Sequence, residues 1–328
     1  MKLSVLGAGA WGTALASSWA PHHAVTLWGR NPEHIDAIRQ QHRNSRYLPD
    51  CALPETLATT ADFDAALDGA ELIVIAVPSG GLRSTLAALA DRPALPPLIW
   101  VCKGFEPGSR KLPHQLIAEL LPEKAQTAVL SGPSFALEVA RGYPTALTLA
   151  SRDAALAHLL ASGLSSHHLR IYDHDDVIGV EVGGAVKNVI AIAAGICDGL
   201  QLGHNARAAL ITRGLAEMTR LGVRLGGRAE TFMGLSGLGD LILTTTGDLS
   251  RNRQVGLRLA RGQTLDTILA ELGHVAEGVT TAREVADLAD ELGVEMPITQ
   301  NVCQMLFHGM AAKQAADALL NRQIKSEF

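Results

Sequence analysis

The stretch "VLGAGAWGTALA", residues 5–16, decides the fold of this chain. It places Gly7, Gly9 and Gly12 in the pattern G-x-G-x-x-G, directly after an apolar strand pattern and directly before a helical pattern. The first glycine of this pattern permits a turn, the second lets a pyrophosphate approach the backbone, and the third lets the helix pack on the strand. The N–H groups at the start of the helix also attract phosphate. The stretch therefore predicts a dinucleotide-binding loop, and a plain strand-to-helix turn is the alternative.

Further apolar strand patterns follow at intervals along the first half of the chain. They are "AVTLW", "ELIVIAVPS", "PLIWVCKG", "TAVLSG", "TALTLAS" and the weaker "LRIYD". Continuous apolar strands separated by helices predict a parallel sheet covered on both faces, which is the doubly wound α/β arrangement. Asn31 followed by Pro32 predicts a capped helix start after the second strand, with Glu33 in the first helical turn.

The pattern changes near Val182, after which apolar residues follow helical spacing. Thr281 and Glu284 form a T-x-x-E pattern that predicts a capping box ahead of "VADLADELG". The sequence thus predicts two domains. Residues 1–182 form a Rossmann-like, dinucleotide-binding domain, and residues 183–328 form an all-α domain for substrate and catalysis.

Composition excludes several classes of protein. Hydrophobic residues make up 47% of the 328 residues, charged residues 19%, and the net charge is −5, which argues against a nucleic-acid partner. No stretch of about 20 uncharged apolar residues predicts a membrane span, because Lys187, Asn188 and Asp198 interrupt the closest candidate, "AVKNVIAIAAGICDGL". The apolar start of the chain predicts a buried strand instead of a signal peptide. The four cysteines lie far apart and the histidines show no ligand spacing, so we expect reduced thiols, no metal and a cytoplasmic location.

Arg30 occupies the end of the second strand pattern, in "LWGRN". NAD-selective proteins place an acidic residue there for the ribose hydroxyls, whereas an arginine can meet the 2′-phosphate of NADP. A solvated loop charge is the alternative interpretation. The sequence favours NADP(H), with NAD(H) also accepted.

Lys187 is the most unusual ionisable residue, because it lies in the apolar helical stretch "EVGGAVKNVIAIAAG". Reduction of a ketone by hydride leaves an alkoxide that needs a proton, and a lysine can supply one. A lysine is costly to bury without a partner, but its side chain could also extend to solvent. Its position alone leaves both interpretations open. Lys103, in "VCKGFEPGSRK", follows a strand at the end where doubly wound sheets bind ligands, and an ordinary loop lysine is the alternative.

A second phosphate site is predicted in "GLSGLGDLILTTTGDLSRNRQVGLRLA". Ser250 can cap a helix that begins at Arg251, so that Arg251, Asn252 and the first backbone amides would converge on an anion. A capped surface helix is the alternative. Asp240 would be costly to bury unless it meets a lysine, a hydroxyl or backbone donors. Together these features suggest reduction of a small phosphorylated ketone.

Seven motifs occur in order over most of the chain: "GAGAWGTALA", "VCKGFE", "LSGPSFALEVARGYPTAL", "EVGGAVKNVIAIAAGICDGL", "SGLGDLILT", "SRNRQVG" and "HVAEGV". In this order they closely resemble the NAD-dependent glycerol-3-phosphate dehydrogenase family of bacteria. The resemblance implies a cytoplasmic homodimer that interconverts dihydroxyacetone phosphate and sn-glycerol 3-phosphate for glycerophospholipid synthesis.

The resemblance also implies roles for individual residues, with Lys187 as the catalytic proton donor or acceptor. The implied substrate contacts are Lys103, Gly132, Ser134, Lys187, Asp240, Ser250, Arg251 and Asn252. The implied cofactor contacts are Gly7, Gly9, Ala10, Trp11, Gly12, Arg30, Lys103, Ala136, Arg251, Val275 and Glu277.

Two other functions compete with this one. A related two-domain, NADP-dependent hydroxyacid or ketopantoate-type reductase would share the glycine loop, but the "SRNRQ" phosphate site argues against it. A non-catalytic NAD(P)-sensing regulator is the second alternative. The joint presence of Lys187, Asp240 and Arg251, without a basic DNA-reading segment, argues against a regulator.

Overall fold

The computed structural model describes residues 1–92, 94–272 and 276–321. The chain folds into two compact units. The first comprises Met1–Glu106 with Lys111–Glu181, and the second comprises Pro107–Arg110 with Val182–Phe328.

The first unit is built on one eight-stranded sheet. Its strands are β1 (Lys2–Leu6), β2 (Ala24–Trp28), β3 (Ala58–Thr60), β4 (Leu72–Ile75), β5 (Leu98–Trp100), β6 (Thr127–Ser131), β7 (Thr145–Ala150) and β8 (Leu169–His174). Its helices are α1 (Ala10–Trp19), α2 (Pro32–Gln41), α3 (Phe63–Leu67), α4 (Ser79–Ala90), α5 (Pro113–Leu120), α6 (Ala136–Ala140) and α7 (Ala154–Leu164). The long helix α8 (Val177–Gly199) starts in the first unit and continues into the second.

The described residues of the second unit are helical or in connecting segments. The helices that follow α8 are α9 (Gly203–Arg224), α10 (Ala229–Phe232), α11 (Asp240–Thr246), α12 (Arg251–Ala260), α13 (Leu265–Leu272), α14 (Glu277–Leu292), α15 (Pro297–Phe307) and α16 (Ala312–Leu320). A π-helical turn, Leu235–Gly239, runs directly into α11.

The strand order is β3-β2-β1-β4-β5-β6-β7-β8. The first six strands are parallel and have the 3-2-1-4-5-6 order of a dinucleotide-binding sheet, in which the order of successive strands reverses between β1 and β4. Alternate strand residues enter two different cores. Val5 and Val74 pack in one cluster, while Leu6 and Ile75 pack in the other. Both faces of the sheet are therefore covered, which confirms the predicted α/β fold with a helical second part.

The sheet differs from the expected all-parallel arrangement at one pair. Strand β7 runs antiparallel to β6, and β8 is parallel to β7. The chain between β6 and β7 contains the five-residue helix α6. The apolar pattern of β7 does not show in which direction the strand runs beside β6. The sequence patterns also missed β3, which has only three residues.

Local capping signals were right in α2 and wrong in α14. Asn31 Oδ1 accepts from His34 N at 2.9 Å, and Pro32 is the first residue of α2, as predicted. The Thr281–Glu284 capping box is wrong, because α14 already begins at Glu277 and Thr281 is buried inside it. Asn252 Oδ1 accepts from Gly278 N at 3.0 Å, so a side chain from α12 satisfies an N–H in the first turn of α14.

Helix α8 is long and apolar enough to pass for a membrane span, with a mean hydropathy of 1.6 over an 18-residue window. However, 94% of that window is buried inside the protein. Burial on all sides explains why this helix is apolar all round.

Glu217 of α9 holds the start of α15 from within the core. Its carboxylate accepts from Ile298 N at 2.6 Å and from Thr299 N and Oγ1, both at 3.2 Å. Burial is the largest influence on this carboxyl group and raises its pKa to about 7, although the hydrogen bonds act in the opposite direction.

We expect this raised pKa to make stability depend on pH. Between about pH 4.5 and pH 7 the folded chain holds a proton on Glu217 that the unfolded chain has released, so the free energy of unfolding falls as pH rises through this window. Urea unfolding at several pH values should show this loss, on the order of 1 kcal/mol or more. Glu217→Gln should flatten the dependence, whereas Glu230→Gln, at an exposed carboxyl, should leave it unchanged. Equal slopes in the parent and Glu217→Gln would contradict the assignment.

Candidate functional site

The glycine loop lies at the carboxyl end of β1, at the switch point of the sheet. Gly7 has φ +131°, and a Cβ there would lie 2.5 Å from Ala76 O, beyond the end of β4. A Cβ on Gly12 would lie 2.0 Å from Gly7 O. Neither position has room for a side chain, whereas a Cβ on Gly9 would have nothing within 4 Å. The loop is therefore tight against β4 and open at Gly9.

Helix α1 begins at Ala10 without a side-chain cap. The helical bonds start at Thr13 N, which donates to Gly9 O at 3.0 Å. The N–H groups of Ala10, Trp11 and Gly12 come before that first helical hydrogen bond and have no acceptor within the helix. They lie where a bound anion would accept from them. A crowded glycine turn, an open Gly9 and these amides together fit the pyrophosphate of a dinucleotide.

Arg30, Trp11 and Ala136 belong to the same unit as this loop. Arg30 is exposed just after β2, and Glu33 lies in the first turn of α2 as predicted. Trp11 packs with Ala136 of α6 around a small apolar cluster. The buried indole Nε1 of Trp11 has no hydrogen-bond partner among the described residues.

Lys103 and Ser134 converge on one carbonyl at the carboxyl ends of β5 and β6. Lys103 Nζ and Ser134 Oγ each donate to Gly132 O, both at 3.0 Å. Gly132 has φ +137°, and a Cβ there would approach the α-carbon of Leu147 to 3.2 Å. Because parallel strands end on one edge, these groups share the edge that carries the glycine loop.

In the second unit, Gly183 lets the π-helical turn pack against α8, and Gly237 lets the same turn pack against the end of α10. A Cβ on Gly183 would lie 2.4 Å from Ser236 O, and one on Gly237 would lie 2.2 Å from Phe232 O. Lys187 is one helical turn beyond Gly183 on the same face of α8, and Asp240 follows the π-helical turn directly. The close backbone approach therefore places Lys187 beside Asp240. Turns of this kind occur frequently at functional sites.

Lys187 forms a buried ion pair with Asp240. Its ammonium group donates to Asp240 Oδ1 and, at 3.0 Å, to Thr244 Oγ1. The Lys187 side chain is 9% exposed and that of Asp240 is 0% exposed. The interpretation that Lys187 extends to solvent is thus wrong. Thr244, which donates to Asp240 O at 2.6 Å, was missed from the sequence, although its spacing of four from Asp240 places it on the same helical face.

Helix α12 has the predicted cap but not the predicted convergence. Ser250 Oγ accepts from Arg253 N at 3.2 Å, which confirms Ser250 as the N-cap of α12. Arg251 is exposed and makes no ion pair with the described residues. Asn252 instead is buried and donates to Asn188 Oδ1 at 2.9 Å.

Arg253 is a second residue that sequence reasoning missed. Its guanidinium donates to Asp198 Oδ2 of α8 from Nε at 2.9 Å and to Asp248 Oδ1 from Nη1 at 2.9 Å. These bonds tie the start of α12 to α8. The sequence signal was an arginine one turn beyond the cap, but its acidic partners come from distant or irregular positions.

Two further cofactor residues, Val275 and Glu277, are implied by the resemblance. Glu277 is the first residue of α14. Val275 lies outside the described residues.

Known proteins similar to this chain identify its family. The model of the NAD-dependent glycerol-3-phosphate dehydrogenase N-terminus matches residues 2–157, and that of the C-terminus matches residues 176–317. This chain belongs to the NAD-dependent glycerol-3-phosphate dehydrogenase family.

Individual relatives match this chain over its whole length and support the same family. The chain is 75% identical to glycerol-3-phosphate dehydrogenase (NAD(P)+) of Thiobacillus denitrificans, with 100% of both chains covered. It is 59% identical, again over 100% of both, to the enzyme of that name in Nitrosospira multiformis. The crystal structure of glycerol-3-phosphate dehydrogenase from Coxiella burnetii superposes with a TM-score of 0.94 at 43% identity, covering 98% of this chain and 99% of that one. The recognised family resemblance is thereby confirmed.

The backbones of helices α8 and α12 are in close contact at two glycines. Adding a side chain at one of them therefore tests how closely the two helices must pack. A Cβ on Gly256 would lie 2.0 Å from Ile192 O, and one on Gly195 would lie 2.0 Å from Arg253 O. We expect Gly256→Ala to destabilise the protein by about 1–3 kcal/mol, because the helices must separate. Thermal unfolding followed by circular dichroism measures the change.

Gly81→Ala is the matched control, since a Cβ at this α4 position would approach nothing closer than 3.7 Å. It should leave stability unchanged or raise it by about 0.5–1 kcal/mol, because alanine favours helix over glycine. Two variants with the same unfolding midpoint would show that the α8–α12 contact tolerates a methyl group.

Proposed function

We propose that this protein catalyses hydride transfer between NAD(P)H and dihydroxyacetone phosphate, giving sn-glycerol 3-phosphate. The observation that carries the proposal is the buried Lys187–Asp240 pair, in a chain whose first unit has a dinucleotide-type glycine loop. Family membership and full-length relatives that bear this enzyme name support the choice of substrate.

Lys187 is the proposed acid. The reduced nicotinamide, when bound, supplies the hydride, and the former carbonyl oxygen must then gain a proton. The Lys187 ammonium gives that proton and becomes a neutral amine; in the reverse direction the amine takes the hydroxyl proton. Asp240 and Thr244 fix the position of Nζ, so that the acid is oriented before the ketone arrives.

The substrate phosphate is assigned to the start of α12. Arg251 offers an exposed guanidinium that no described residue neutralises, and the helix start adds its amides. Ser250 supports this assignment by capping the helix, while Asn252 acts through Asn188 and α14. We include Lys103, Gly132 and Ser134 in the proposed substrate contacts, because the lysine and the hydroxyl meet at one carbonyl.

The dinucleotide is assigned to the first unit. Gly7, Gly9 and Gly12 would hold the pyrophosphate, and Arg30 would meet the 2′-phosphate of NADP. Since no acidic residue occupies the end of β2, the proposal keeps NADP(H) as the preferred cofactor and NAD(H) as an alternative. The domain assignment is a cofactor domain over residues 1–182 and a substrate domain over 183–328. The cytoplasmic location and the homodimer inferred from the sequence stay predictions.

The direct test follows NADPH absorbance after dihydroxyacetone phosphate is added, and then repeats the assay with NADH and with ketopantoate. Turnover of dihydroxyacetone phosphate alone supports the proposal. Turnover of ketopantoate instead would favour the hydroxyacid-type alternative, and tight NADPH binding without turnover of either ketone would favour a sensor.

Lys187→Ala tests the acid. We expect kcat to fall by about 10²-fold or more, the usual scale for loss of a general acid, with unchanged affinity for NADPH. Because the change leaves Asp240 buried without its partner, stability must be measured in parallel. Lys187→Arg keeps the positive charge but holds its proton too tightly to transfer it, so it should be equally slow.

Lys313→Met is the control for these variants, since Lys313 is exposed on α16. It should retain parental turnover. A folded Lys187→Ala protein with turnover within a few-fold of the parent would remove Lys187 from the mechanism.

Arg251→Met tests the phosphate site. Loss of a charge-assisted hydrogen bond should raise KM for dihydroxyacetone phosphate by about 10-fold or more, and should leave the slow reduction of unphosphorylated dihydroxyacetone unchanged. Arg261→Met changes an exposed arginine at the other end of α12 and should alter neither reaction. Equal losses with both ketones would place Arg251 elsewhere in the chemistry.

A further inference from the structure

Asn44 lies in the segment that joins α2 to β3, residues 42–57, which no sequence motif singled out. Its side chain is wholly buried, with 0% exposure. A buried amide must find partners for its donors and its acceptor, so its contacts show what it holds.

The amide of Asn44 reaches the glycine loop and α1. Asn44 Nδ2 donates to Ala8 O at 3.0 Å and to Thr13 Oγ1 at 2.8 Å. These partners lie 36 and 31 residues away in sequence. One side chain therefore fixes both the middle of the loop and the first turn of the helix that follows it.

The bond to Ala8 O determines where an N–H group points. The carbonyl of Ala8 and the N–H of Gly9 belong to one planar trans peptide, in which they point in opposite directions. By holding the carbonyl, Asn44 turns the Gly9 N–H away from itself. No described residue accepts from that N–H, and the space beside Gly9 is open.

The acceptor side of Asn44 reaches α2. Asn44 Oδ1 lies 2.9 Å from His34 Nε2 and accepts from Tyr47 N at 3.3 Å. His34 is itself in the first turn of α2, which follows Arg30 and the cap Asn31. The same amide thus connects the glycine loop to the helix beside the proposed 2′-phosphate residue.

We propose that Asn44 is a positioning residue for the dinucleotide: it aims the Gly9 N–H at the pyrophosphate and fixes the loop against α1 and α2. The inference rests on the proposed cofactor. The pyrophosphate is common to NADPH and NADH, so Asn44 contributes equally to both affinities, whereas Arg30 contributes to their ratio.

The test measures dinucleotide binding by the full chain without a ketone, using tryptophan fluorescence titration with NADPH and with NADH. Asn44→Asp keeps the acceptors for His34 and Tyr47 but loses both donors, and Asn44→Ala removes the whole amide without adding charge. Both variants should raise Kd for each dinucleotide by about 10-fold, as expected for loss of one or two hydrogen bonds. Arg30→Asp should instead change the NADPH/NADH ratio.

Ser45→Ala is the matched control, because Ser45 neighbours Asn44 but its hydroxyl donates, among the described residues, only to Gln41 at the surface. It should bind both dinucleotides as the parent does. Limited trypsin cleavage after Arg43 and Arg46 shows whether the segment stays ordered, and KM for dihydroxyacetone phosphate at saturating NADPH should change less than 2-fold.

A folded Asn44→Asp or Asn44→Ala protein that binds the dinucleotides with parental affinity overturns the inference. The inference also fails if dinucleotide affinity falls only in variants whose segment is cleaved faster by trypsin. If both Asn44 variants fail to fold, His34→Phe decides, since it keeps an aromatic ring but removes the nitrogen that bonds to Asn44 Oδ1. Its Kd should rise 2- to 5-fold, and an unchanged Kd overturns the inference. A parent that binds neither dinucleotide defeats the proposed function as well, whereas binding without ketone turnover defeats only the proposed reaction.

Discussion

The ion pair between Lys187 and Asp240 is the interaction on which the proposed chemistry depends. Both charges are out of water, so either one alone would cost several kcal/mol, and each stabilises the other there. The pair requires α8 and the π-helical turn to pack closely, which the absence of a side chain at Gly183 allows. Backbone packing and the position of the proposed acid are thus one feature of the second unit.

Glycines also allow close backbone packing in the first unit, where they shape the proposed anion site instead of the position of the acid. Gly7 and Gly12 remove side chains where β1, β4 and α1 crowd together, while Gly9 leaves its side open. In both units the sequence omits side chains where backbone must approach backbone. The polar groups that matter lie directly beside those contacts.

Much of this arrangement could be predicted from the sequence because its signals are local. The glycine loop, the caps Asn31 and Ser250, and the apolar helix around Lys187 each fall within a few consecutive residues. The polar partners could not be predicted in the same way. Asn44 reaches Ala8 across 36 residues, and only the fold brings them together.

The capping box wrongly predicted in α14 shows the same limit of local sequence signals. Thr281 and Glu284 match a local start signal, but α14 begins earlier because Asn252 Oδ1 bonds to an N–H in its first turn. A local pattern cannot reveal a cap supplied by another helix. Antiparallel β7 is similar, since its apolar strand pattern does not show in which direction it runs beside β6.

Asn252 carries a consequence for how motifs of this kind are interpreted by mutagenesis. Its amide connects α8, α12 and α14, so its replacement would disturb three helices at once. A loss of affinity in such a variant would measure the integrity of the scaffold together with any contact to a ligand. Neighbouring residues of the "SRNR" motif therefore have different roles. Arg251 is exposed to a ligand, whereas Asn252 and Arg253 hold together the helices that position Arg251.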